Sequence, residues 1–234
     1  MSIVAPREPA WRDVVLWFET IDAIVRGLGH ALNNRALALS ATIEALDARR
    51  PVGEQVAGGL TREAERLTEQ LRQLRSLPFA LEREAMPLLL RDVIASAVQL
   101  HRSHATLGEV PVYLEGSADA PPVLVPESAM LHAILVTLTA LKGYAAPDGL
   151  VRISYAGTAE VAEVTFLAQR DPADEGSGRP ATELVRPTAL AAALLSGAHL
   201  QIDQRIGVLA SAVTWSLPSL RAMRRLAKAA AATG

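Results

Sequence analysis

The stretch Ile24-Val25-Arg26-Gly27-Leu28-Gly29-His30-Ala31-Leu32-Asn33-Asn34-Arg35 decides how the chain is read. Apolar residues from Val14 to Leu46 recur at Val14, Phe18, Ile21, Val25, Leu28, Leu32, Leu39 and Leu46, a 4-3-4-3 spacing that predicts one seam of a long helix from about Ala10 to Ala48. Arg35 and Thr42 break the seam. His30 is off it: two residues along a helix is a rotation of roughly 200°, so an imidazole midway between Leu28 and Leu32 points away from the buried stripe. Asn33 and Asn34, at i+3 and i+4, share its face. Gly27 and Gly29 interrupt the pattern at up to ~1 kcal/mol each relative to Ala. They predict a local break, a close approach of another surface to the imidazole, or both.

Working outward, Arg49-Arg50-Pro51-Val52-Gly53 is a turn, and a second helix follows with Leu60, Ala64, Leu67, Leu71 and Leu74 on its own seam. Two helices joined by a short turn make an antiparallel hairpin over residues 1–78. One stripe per helix is too little for independent stability. Either a second copy covers it, completing a four-helix bundle in a homodimer, or the rest of the chain does. After Pro78 the pattern changes. Pro87 to His101 reads as a helix, Val110 to Glu115 as a strand, Pro121 to Pro126 as an extended piece and Glu127 to Tyr144 as an apolar helix. Val151 to Tyr155 and Val161 to Leu167 pair around Ala156-Gly157. Asp171 to Arg179 is a loop, Thr182 to Ser196 a helix, and Leu200 to Ile206 with Leu209 to Trp215 a closing hairpin. The fold class is therefore α+β: a helical hairpin, an α/β sandwich over 79–218, and a helical tail over 219–234.

Composition bounds the function. With 234 residues, 50% hydrophobic and 4% aromatic, the cores are filled by Ala, Leu and Val. A net charge of -2 supplies no global attraction to nucleic acid or to an anionic membrane. Cysteine is absent, which excludes disulfides, thiolate metal sites and cysteine nucleophiles. Neither Met1 to Pro9 nor any later run has the pattern of a signal peptide or membrane span, so the expectation is a cytoplasmic protein. His101 and His104 lie at i, i+3 with no third ligand at a useful spacing, so no metal site is expected. His132 and His199 read as structural. The tail sets Arg221, Arg224, Arg225 and Lys228 against Leu220, Met223, Leu226 and Ala227, the pattern of a solvated or docked terminal helix.

Gly29-His30-Ala31-Leu32-Asn33-Asn34 resembles the phosphoacceptor box of two-component sensor histidine kinases, and the order hairpin, then α/β domain, is similar to theirs. The resemblance implies a phosphoacceptor His30 and an ATPase-like second domain. That domain departs from the family where nucleotide is held. The helix Asn that binds magnesium aligns with Thr137 and Leu141, the adenine-reading Asp with Ala168 and the first glycine after it with Arg170. The glycine-rich lid is reduced to Gly176-Ser177-Gly178, and the Gly-x-Gly opening of the last helix to Pro187-Thr188-Ala189-Leu190-Ala191. Leucine cannot ligate a hard cation. Ala31 replaces the acidic residue that follows the family His and acts as general base. An aspartyl phosphate is already an activated donor, so an imidazole can attack it without that base.

The pattern thus resembles a histidine phosphotransferase on a degenerate kinase scaffold. It implies a phosphorelay in which His30 exchanges phosphate with response-regulator receiver domains, with a hybrid histidine kinase as a further partner. The chain would bind no cofactor; Mg2+ would come with the receiver. Arg26, Gly27, Gly29, Asn33, Asn34 and Leu37 would form the docking face. Rival readings are a receiver phosphatase in which Asn34 orients water, a non-enzymatic dimeric scaffold, and an ATP-dependent kinase with divergent motifs.

Overall fold

The structure is a computed structural model that describes residues 11–44, 46, 53–77, 84–117, 119–171 and 185–233. Helix α1 spans Trp11–Glu44 without a break at either glycine, and α2 spans Glu54–Ser76. They lie antiparallel. Across them Arg35 Nη1 donates to Glu63 Oε2 at 2.9 Å, while within α2 Arg66 donates to the other Glu63 oxygen at 2.6 Å. The polar break at Arg35 is thus the tie between the helices, and the two guanidiniums hold the Glu63 carboxyl below its ordinary pKa.

The buried line of α1 differs from the predicted seam. Thr20, Ile24 and Leu28 are wholly buried, Ile21, Val25 and Leu32 half-buried, and Phe18 is 66% exposed. A single heptad seam assumes one packing partner, but α1 packs on α2 and also on two helices of the following domain, which widens and rotates the stripe. On α2, Leu60, Leu67 and Leu74 are half-buried while Ala64 and Leu71 face outward.

The second unit begins with β1 (Met86–Leu88), which the sequence reading merged into the helix after it. Then come α3 (Leu90–His101), β2 (Val112–Gly116), β3 (Val123–Val125), α4 (Glu127–Ala145), β4 (Leu150–Gly157), β5 (Val161–Gln169), α5 (Val185–Leu194), β6 (Gln201–Ile206), β7 (Ala210–Pro218) and α6 (Leu220–Thr233). Strands β1 and β3 form a small antiparallel pair. The main sheet has the order β2-β4-β5-β7-β6, with β2 parallel to β4 and all other pairs antiparallel.

Alternation sets one face of the sheet inward. Ala162, Val164, Phe166 and Ala168 of β5 are buried, as are Val213, Trp215 and Leu217 of β7, and Phe166 meets Trp215 edge-on at 4.8 Å. Helix α4 lies on this face. It is apolar on all sides because it is covered on all sides, by the sheet and by α1, α3 and α5. It is long and apolar enough to cross a membrane, yet 83% of its apolar window is buried inside the protein, as in a core helix. The turn residues Arg49 to Val52, the lid glycines and the start of the Thr182 helix lie outside the described residues.

Candidate functional site

His30, Asn33 and Asn34 are all exposed on α1, and Arg26 and Leu37 join them on the same side one turn before and two turns after. Leu37 is 61% exposed. Arg26 forms an ion pair with Asp22 along the helix. Ala31 and Leu32 are half-buried and turn toward the hairpin interior, so the imidazole stands on a rigid helix, flanked by amide side chains, with open solvent before it.

The two glycines have different surroundings. At Gly29 a side chain would meet nothing within 4 Å. At Gly27 a Cβ would stand 1.7 Å from the Ser103 carbonyl oxygen, so the room made by this glycine is filled by the chain's own backbone and not held open for another molecule. The segment responsible is the loop from Arg102 to Val110. Its Ala105 amide donates to the Ala23 carbonyl at 3.1 Å, clasping α1 two turns before His30.

The loop is held by three buried polar side chains. His104 Nδ1 accepts from the amides of Thr106 and Leu107 at 3.3 and 3.2 Å. Lys142, buried on α4, donates its Nζ to the Gly108 carbonyl at 3.2 Å and lies 3.4 Å from His101 Nδ1. His101 Nε2 pairs with Thr139 Oγ1 at 3.0 Å, and its ring stacks on His104 at 4.9 Å. Burial, with the Lys142 charge second, lowers the His104 pKa to about 4 and holds His101 well below the imidazole range. Burial likewise lowers Lys142 to about 8. Both His101 nitrogens and His104 Nδ1 are engaged in this network, and no group of three or more metal-ligating side chains occurs among the described residues. In the sequence, His101-x-x-His104 shows only an i, i+3 spacing and gives no sign of these partners. The available signal was Lys142, a lone cation in the apolar run from Met130 to Tyr144.

The side chains that the resemblance sets against nucleotide ligands in α4 and β5 are buried. Leu141 and Ala168 have no exposed surface and sit in the main hydrophobic core. Thr137 is 2% exposed, and its hydroxyl has no hydrogen-bond partner. Arg170 folds back over the end of α4: Nε donates to the Tyr144 carbonyl at 2.7 Å and the guanidinium lies 4.1 Å above the Tyr144 ring. His132 meets Trp17 of α1 with ring centroids 3.5 Å apart, so it joins the hairpin to the second unit.

No family model matches the chain, and no curated protein matches its sequence. Among solved structures it is similar to a histidine kinase from Burkholderia phymatum, at 16% identity and a TM-score of 0.49 over 90% of this chain and 99% of that one. It is similar to a bacterial phosphotransferase at 16% identity and a TM-score of 0.47, over 91% of this chain and 100% of that one. A third is the histidine kinase ThkA in complex with the response regulator TrrA, at 9% identity and a TM-score of 0.46, over 82% of this chain and 60% of that one.

Proposed function

We propose that the protein is a histidine phosphotransfer protein that takes a phosphoryl group from a receiver-domain aspartate onto His30 and passes it to another receiver, without binding ATP. The observation that carries this reading is the pairing of an exposed His30, flanked by Asn33 and Asn34, with core burial of Leu141 and Ala168 at the positions where nucleotide would be held. An imidazole nitrogen attacks phosphorus, the P–O bond to the aspartate breaks, and the carboxylate leaves as its own stable anion. Transfer to a second receiver is the reverse step. The helix contributes position and an open approach; magnesium belongs to the receiver, and Arg26, Gly29, Asn33, Asn34 and Leu37 form the surface it would meet. A hybrid kinase would charge the first receiver.

Incubation with a radiolabelled phospho-receiver should label the wild type and leave His30→Gln unlabelled but folded. A wild type that binds the phospho-receiver and never takes up label excludes the transferase. The phosphatase reading has one observation in its favour, an exposed Asn34 one turn beyond His30. It expects Asn34→Ala to slow receiver dephosphorylation with no lasting phosphohistidine in the wild type. ATP should bind more weakly than about 1 mM, since a leucine and an alanine replace its polar contacts. Calorimetry giving a micromolar, magnesium-dependent constant would contradict this.

A further inference from the structure

The basic tail is built into the fold as one wall of a groove. Helix α6 is fastened at its start: Ser219 Oγ donates to the Ala159 carbonyl at 2.6 Å and accepts from the Ala222 amide at 3.1 Å, and the Leu220 amide donates to the Pro122 carbonyl at 2.7 Å. Arg225 pairs with Glu160 in the β4–β5 turn. Between α6 and this edge runs an open groove of about 520 Å³ with an apolar lining from Pro121, Pro122 and Leu220. Arg221, Arg224 and Lys228 stand along the helix wall, exposed and without an acidic partner among the described residues.

We propose that this groove binds an acidic segment of a partner protein, in extended form, with an apolar residue between two carboxylates. Alternate side chains of an extended chain point to opposite sides, and those on one side recur every ~6.6 Å. The rise from Arg224 to Lys228 on a helix is ~6 Å. Two carboxylates at alternate positions therefore meet the cationic wall while the residue between them faces the prolines and Leu220. Three unpaired cations in a chain whose net charge is -2 form a local field that selects an anion without making the whole molecule polyanion-seeking. A membrane fits less well, because Leu220 and Met223 of the apolar side are half-buried against the fold, which leaves Leu226 as the large apolar side chain exposed on the described part of the helix. The proposal is independent of His30.

The probe is the fluorescein-labelled peptide Gly-Glu-Leu-Glu-Leu-Glu-Gly, titrated by anisotropy with the full chain. Saturable binding that weakens between about 0.05 and 0.5 M salt is expected. The double variant Arg221→Glu with Arg224→Glu should bind about tenfold or more weakly at an unchanged unfolding temperature, since both side chains are exposed. Replacing each Glu of the peptide by Gln should abolish binding. Equal binding of the Gln peptide, equal binding by the double variant, or no saturation below about 1 mM would overturn the proposal. So would tighter binding, lost in the same variant, to phosphatidylglycerol vesicles or to a short DNA duplex at equal salt.

Discussion

A methyl group at Gly27 would stand 1.7 Å from the Ser103 oxygen and 3.3 Å from the Ala105 nitrogen, both backbone atoms that cannot rotate aside. Gly27→Ala should therefore destabilise the protein by about 1–3 kcal/mol, the usual cost of overpacking, reduced by up to ~1 kcal/mol from the better helix propensity of alanine. Gly29→Ala has the propensity gain without the clash and should raise stability by about 0.5–1 kcal/mol. Thermal unfolding of the two variants beside wild type checks the pair. If Gly27→Ala matched wild type, the loop would not be clasped to α1 as described. The same comparison bears on function, since the contact at Gly27 lies one turn from His30.

The contact between α3, the loop after it and α4 shows what burial of polar groups does. Lys142 and the imidazoles of His101 and His104 are satisfied in the folded chain but held in or toward their neutral forms, so the unfolded chain binds protons that the folded chain does not. For His104 the window runs from about 6.5 down to about 4, and stability should fall as pH drops through it. For Lys142 it runs from about 8 to 10.5, and stability should rise with pH across it. Urea unfolding of wild type and Lys142→Met checks the alkaline limb, which should flatten in the variant. A slope that persisted would place its origin elsewhere. In His104→Asn, where an amide oxygen can still accept the Thr106 and Leu107 amides, the acid limb should become shallower. Little of this network was legible in the sequence, because it joins α3, a loop and α4 through contacts distant along the chain. Strands β4, β5 and β7 were legible, since period-two alternation is local. So was the outward face of His30, which needs only the helical repeat. Strand β1 was not: Pro87 and the apolar residues after it read equally well as the first turn of α3. Ile24 was missed for the converse reason, as a seam inferred from one partner cannot register a second.

At the scale of the whole molecule, α1 presents three faces. Thr20, Ile24 and Leu28 are buried within the chain; Arg26, His30, Asn33 and Leu37 face solvent; and Phe18 and Ile43, at 66% and 59% exposed, mark a third line. Leu71 of α2 is 47% exposed as well. Apolar exposure of this kind along a hairpin is what a second hairpin covers in a four-helix bundle, and we propose that the protein dimerises through the third line. The faces then separate assembly from folding and chemistry. Leu28→Glu should unfold the protein, because it buries a charge in the intramolecular core. Phe18→Glu combined with Ile43→Glu should leave the fold intact and give monomers by light scattering. The third line lies roughly 120° around the helix from His30, so this monomeric variant should still take label from a phospho-receiver. A wild type that is monomeric at micromolar concentration would end the bundle proposal. A folded monomeric variant that no longer accepts phosphate would instead require the partner copy to contribute to the docking face.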